Sequence, residues 1–186
     1  MSVNLWSNDK MMWDQFRNGC DYSFKVIYEN HVQNLLLYGR RLNNDRDLVA
    51  NCVQQLFANL LDRRKHLGPT DNINYYLLKA FRSILIKELK KAQKLSPDEL
   101  KIEQSTSVDS VEDEIIYKES LRQQKKELQS AMNQLSPREK EILYLKYFAN
   151  VANKQIAELL SISYQSVKNT ATRAVQKLKD QMMKVA

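Results

Sequence analysis

Glycine and proline are scarce in this chain, and that scarcity limits its folding more than any other feature. Three glycines (Gly19, Gly39, Gly68) and three prolines (Pro69, Pro97, Pro137) punctuate 186 residues. Many-stranded sheets turn at glycine and proline, so this supply is too small for one. It also leaves no glycine-rich phosphate loop and no dinucleotide fingerprint. Long helices remain, and the apolar spacing agrees with them. Phe24, Ile27, Tyr28, Leu35 and Tyr38 recur mostly at intervals of three or four and mark one helix face, with Asp21 as the expected N-cap. Val49, Val53, Leu56, Phe57, Leu60 and Leu61 keep the same spacing from about Asp45 to Arg64. After Gly68–Pro69 a third helix is expected from Ile73 to Ala92, with Leu77, Leu78, Phe81, Leu85 and Leu89 toward the core. The expected fold class is all-α.

Charge divides the chain. Residues 1–92 hold 14 basic and 9 acidic side chains, a net +5. Residues 93–119 hold 3 and 8, a net −5, and residues 120–186 hold 12 and 5, a net +7. The acidic stretch is polar and poor in apolar residues, as expected of a flexible linker. The reading is therefore two small helical domains, 8–92 and 120–184, joined by an acidic linker at 93–119. Basic domains suit a polyanionic partner. No apolar run approaches the ~20 residues needed to cross a bilayer, so no membrane insertion is expected. The start, MSVNLWSNDKMMWDQF, lacks a signal peptide's basic start and apolar core, and two lone cysteines fit a reducing cytoplasm. His31, His66, Cys20 and Cys52 lie scattered without metal-ligand spacing. No nucleophile or acid/base pair stands out, so neither cofactor, metal nor enzyme activity is expected.

The second domain is sharply punctuated. Ser136–Pro137–Arg138–Glu139 combines an N-cap serine, a proline at the first helical position and a glutamate closing a capping box. A helix of about twelve residues should follow, to Phe148. Asn153 is the expected cap of a short helix, KQIAELL, and Ser161–Ile162–Ser163 turns it into a longer one from Tyr164 to Met182. With a charged helix before them, at about 119–134, these make a four-helix domain ending in a helix-turn-helix.

On a wheel of 100° per residue, Val167, Ala171, Ala174 and Leu178 fall within an arc of about 60°. Gln165, Asn169, Thr172 and Gln176 lie opposite, at about 140–200°, flanked by Lys168 and Arg173. A DNA-reading helix needs this arrangement. Amides can pair with base edges, adenine above all, while flanking cations hold phosphates. Gln165 and Asn169 rank above Gln176 because the start of such a helix reaches deepest into the major groove. Asn169→Ala is expected to cost ~1–3 kcal/mol and relax preference at one base step.

These runs resemble bacterial RNA polymerase sigma factors of the extracytoplasmic-function group. In the second domain the resemblance rests on NQLSPREKEILYLKYF and QIAELLSISYQSVKNTATRAVQKLK. In the first it rests on Val53–Gln54–Gln55–Leu56–Phe57 and on Tyr76–Leu77–Leu78 through Phe81–Arg82. It implies a specificity factor with three surfaces. Asp47, Asn51, Gln54, Gln55 and Asn59 would bind core polymerase. Tyr75, Tyr76, Lys79, Arg82, Ser83 and Lys90 would hold the downstream promoter element as an opened strand, beside a pocket at His66–Asn72. Gln165, Ser166, Lys168, Asn169, Thr172, Arg173 and Gln176 would bind the upstream element as duplex.

The resemblance further implies an anti-sigma partner and a monomer when free. The acidic linker would thread a basic polymerase channel or serve as a solvated spacer. The chain departs from the family pattern at Asn51, where Asp is usual, at Ser83, where Asn is usual, and at Lys87, where Asp is usual. Tyr76 stands where Trp is frequent. Two other readings compete with an active sigma factor: a stand-alone helix-turn-helix regulator, and a sigma mimic that sequesters an anti-sigma protein.

Overall fold

The computed structural model describes residues 6–95 and 130–183, and these are helical without strands. The chain divides into two compact units, Met1–Glu103 and Gln104–Ala186. Most of the stretch read as the acidic linker, and most of the charged helix expected before Ser136, lie outside the described residues. Residues 130–133 are helical.

The first unit contains α1 (Trp6–Arg17), α2 (Asp21–Leu42), α3 (Arg46–Arg63), a short 3-10 turn (Arg64–His66) and α4 (Ile73–Leu95). Helices α2, α3 and α4 bury most of the face their spacing predicts, but Tyr28 and Leu61, placed on those faces by spacing, are exposed at the edge of the bundle. Ile27, Leu35 and Tyr38 of α2 meet Val49, Val53, Leu56, Phe57 and Leu60 of α3 and Leu77, Leu78, Phe81 and Leu85 of α4. A run of ring contacts joins the helices, from Tyr76 to Trp13 at 4.8 Å, then Phe16, Phe24, Phe57 and Tyr28. Gly39 sits where three helices crowd together. A Cβ there would lie 2.5 Å from Val49 Cγ1 and 2.8 Å from Phe81 Cζ.

Several helix ends differ from expectation. Asp45 caps α3, its carboxylate accepting from Leu48 N at 2.9 Å. Asp21, however, is the first helical residue of α2, and Cys20 holds the cap position. Asp21 instead pairs with Arg64 at 3.0 Å. Helix α4 runs on to Leu95, three residues past the expected end, because nothing in Gln93–Leu95 breaks a helix.

The second unit contains α5 (Pro137–Leu143), which passes into a π-helical turn at Tyr144–Phe148, then α6 (Asn153–Leu160) and α7 (Tyr164–Met183). The capping box at the start of α5 is complete. Ser136 Oγ accepts from Glu139 N at 3.3 Å, and Glu139 Oε2 accepts from Ser136 N at 2.8 Å. Asn153 is the first residue of α6, with Ala152 at the cap. The Gln155 side chain accepts from Ala152 N at 3.4 Å and takes over the capping role expected of Asn153.

Candidate nucleic-acid interface

The turn between α6 and α7 sets the angle at which α7 leaves the body. Ser161 adopts a left-handed conformation, with φ of 53°. Its N–H donates to Glu158 O at 3.2 Å, and Ile162 N–H donates to Ala157 O at 3.0 Å. These bonds satisfy carbonyls that the helix end would leave without partners. Arg138 supplies a further tie. Its Nη2 donates to Leu160 O at 2.8 Å while Nη1 pairs with Glu141 at 3.2 Å. Glu139 ties α5 to α7 through Lys177 Nζ, at 2.7 Å. Burial pushes the Glu139 carboxyl up, but bonds from Lys177 and Ser136 outweigh it and hold the carboxyl below its ordinary value. None of these ties was read from the sequence. The Arg-Glu pair after Ser136–Pro137 carried the signal only for the cap.

Helix α7 divides as its wheel predicts. Val167, Ala171 and Ala174 are fully buried, and Ala174 packs with Leu135 and Leu143, with Leu178 at the edge of that cluster. Gln165, Ser166, Lys168, Asn169, Thr172, Arg173 and Gln176 are all exposed. Ser163 caps the helix, its hydroxyl accepting from Ser166 N at 3.1 Å. Among the described residues neither Lys168 nor Arg173 is in an ion pair. Gln176 Nε2 donates to Asp180 Oδ1 at 2.7 Å, which places a carboxylate on the C-terminal half of this face.

In the first unit, Asp47, Asn51, Gln54, Gln55 and Asn59 are exposed and share one side of α3, opposite its buried face. The residues assigned to strand binding share an arc of about 120° on α4. Lys79, Ser83 and Lys90 are exposed, while Tyr75, Tyr76 and Arg82 are half-buried. Lys79 Nζ lies 5.8 Å from the centre of the Tyr75 ring. Tyr76 packs on Trp13, and burial pushes its hydroxyl pKa up.

The start of α4 is firmly held. Ile73 N donates to Asp9 at 3.0 Å, and Tyr75 N donates to Asn72 Oδ1 at 2.8 Å. The preceding loop is pinned by Trp13, whose indole N–H donates to Gly68 O at 2.9 Å. Asp9 and Trp13 both lie on α1, a helix the sequence reading did not single out. Their part in shaping the loop has no local signature. Among the described residues no cluster of His, Cys, Asp and Glu could hold a metal ion, and no helix is long and apolar enough to cross a membrane.

Residues 125–178 match the family described as Sigma-70, region 4. This span includes the capping box, the turn and most of α7. Over 174 residues the chain is 26% identical to RNA polymerase sigma factor SigZ of Bacillus subtilis (strain 168), covering 92% of this chain and 85% of that protein. Two solved structures share the fold. CnrH in complex with the cytosolic domain of CnrY matches with a TM-score of 0.60 at 15% identity, over 96% of this chain and 99% of that one. The sigma factor RpoE in complex with the anti-sigma factor NepR, from Bartonella quintana, matches with a TM-score of 0.63 at 15% identity, over 86% and 96%.

Proposed function

We infer that the chain is a sigma factor of the extracytoplasmic-function group, which directs core RNA polymerase to promoters and initiates transcription. The observation that carries this reading is the division of α7 within a segment that matches Sigma-70, region 4. Its apolar stripe is sealed in the core, and its amides and cations are left outside. Lys168 and Arg173 hold phosphates, and Gln165 and Asn169 read base edges of the upstream element. Ser166 and Thr172 flank them on the same face.

The first unit takes the other two tasks. The polar side of α3, with Asp47, Asn51, Gln54, Gln55 and Asn59, docks on core polymerase. Asn51 contributes a neutral amide there in place of the family's usual carboxylate. Along α4, Lys79, Arg82 and Lys90 track the backbone of the opened downstream strand, with Ser83 between them. Tyr75 offers an aromatic surface for an unstacked base. Tyr76, the next residue, packs against Trp13. The chain supplies specificity and strand capture, and polymerase supplies the chemistry. Its place of action is the cytoplasm, and its regulating partner is an anti-sigma protein, as the RpoE–NepR pairing illustrates for another member of this fold.

Association with core polymerase tests this reading against a stand-alone regulator. The tagged chain should co-purify with core enzyme, and Gln54→Ala with Gln55→Ala should weaken the complex while leaving duplex binding intact. Sequence-specific duplex binding by a chain that never associates with core enzyme would favour the regulator instead.

A further inference from the structure

The amides on the exposed face of α7 are bonded in pairs, and the pairing decides what each one can read. Gln165 Nε2 donates to Asn169 Oδ1 at 2.8 Å, one helical turn away. The helix start beneath them is fixed, because the Ser163 and Ser166 hydroxyls lie 2.8 Å apart in a hydrogen bond beside the cap.

A side-chain amide offers one oxygen acceptor with two lone pairs and two N–H donors. Reading adenine in bidentate fashion takes an oxygen for the N6 amino group and an N–H for N7, both from the same amide. Gln165 has committed one N–H and keeps its oxygen and its second N–H, so it can still make that pair. Asn169 has its oxygen engaged by Gln165 and keeps two N–H donors. With one lone pair of that oxygen already occupied, it suits acceptor edges in the major groove (guanine O6 and N7, adenine N7, thymine O4) better than the cytosine N4 amino group.

Spacing adds a second constraint. Four residues of α-helix span about 6 Å, nearly two base steps of about 3.4 Å. The bond draws the two amides to 2.8 Å, less than one step. Independent readers at these positions could address base pairs two steps apart, whereas bonded ones address adjacent pairs.

We propose that Gln165 and Asn169 read DNA as one bonded unit, with Gln165 taking adenine at one step and Asn169 donating to an acceptor edge at the adjacent step. This rests on α7 being the duplex-reading helix. Gln176 stands outside the unit, because its partner Asp180 brings a negative charge that phosphates repel.

Selection from a random duplex library by the full chain tests the unit, with thermal melting of each variant alongside. Asn169→Ala removes the neighbour that orients Gln165, so preference should weaken at both adjacent steps, by about 5- to 150-fold at each. Gln165→Ala should also change both steps, and the double variant should relax no more positions than either single one. Asn169→Asp keeps the oxygen that holds Gln165 but removes both donors. It should keep the adenine preference and lose the neighbouring one.

The unit is overturned if each alanine variant, melting as the wild type does, relaxes one separate position and the double variant simply combines them. Loss of the adenine step in Asn169→Asp also overturns it. Failure of the underlying reading looks different. A wild-type chain without sequence preference, or variants that keep every preference, removes α7 as the reader and the unit with it.

Discussion

Two side chains set how each unit responds to acid. His31, on α2, is half-buried. Burial lowers its pKa below the ordinary 6.5, against the opposing charge of Asp9 and a hydrogen bond with Asn74. As pH falls through about 6.5 the unfolded chain therefore takes up a proton that the folded chain resists, and stability present above that pH is lost. Glu139 acts in the second unit through a carboxyl held below its ordinary 4.5. Its contribution is complete above 4.5 and is lost as pH falls toward the folded value. The first unit should thus weaken at a higher pH than the second. Both tryptophans, Trp6 and Trp13, belong to the first unit, so tryptophan fluorescence reports on that unit. Melting temperature by fluorescence should decline between pH 7 and 5.5, and His31→Gln should flatten the decline. A flat wild-type profile over that range would remove His31 from this role.

At the scale of helices, Gly39 is the most tightly enclosed of the three glycines. A methyl group there meets Val49 and Phe81, one from each of two neighbouring helices. Gly39→Ala gains helix propensity but overpacks the crossing, and the second effect is larger, at about 1–3 kcal/mol against less than about 1. Urea denaturation followed by tryptophan fluorescence should show a lower midpoint, and an unchanged or higher midpoint would mean that the crossing yields. The buried faces of α2, α3, α4 and α7 were legible in the sequence because burial follows a period that apolar residues display directly. Helix ends were less legible. Asp21 and Asn153 are good cap residues by type, yet each sits one position inside its helix, because side-chain rotamers and neighbours such as Arg64 and Gln155 decide the cap. The wheel likewise gave the direction of Gln165 and Asn169 but not the bond between them. Helix α1 was not legible as a separate element, although Trp13 and Phe16, three residues apart, are its buried anchors.

For the whole molecule, the net +7 matters through its distribution. Residues 1–92 and 120–186 carry +5 and +7, and the stretch between them carries −5. On the proposed reading, two basic bodies engage the same polyanion at separate elements, one as duplex and one as opened strand. Neither body alone accounts for initiation. A duplex-reading unit without polymerase contact yields only a regulator, and a polymerase-binding unit without a reader has no address. Run-off transcription with core polymerase over a promoter library is the most direct measurement of this division of labour. The full chain should produce transcripts from a subset of promoters that share an upstream element, and Lys168→Ala with Arg173→Ala should reduce that output at low salt and abolish it at higher salt. Duplex binding with no transcript from any promoter, while core polymerase stays active with another sigma factor, would contradict the account.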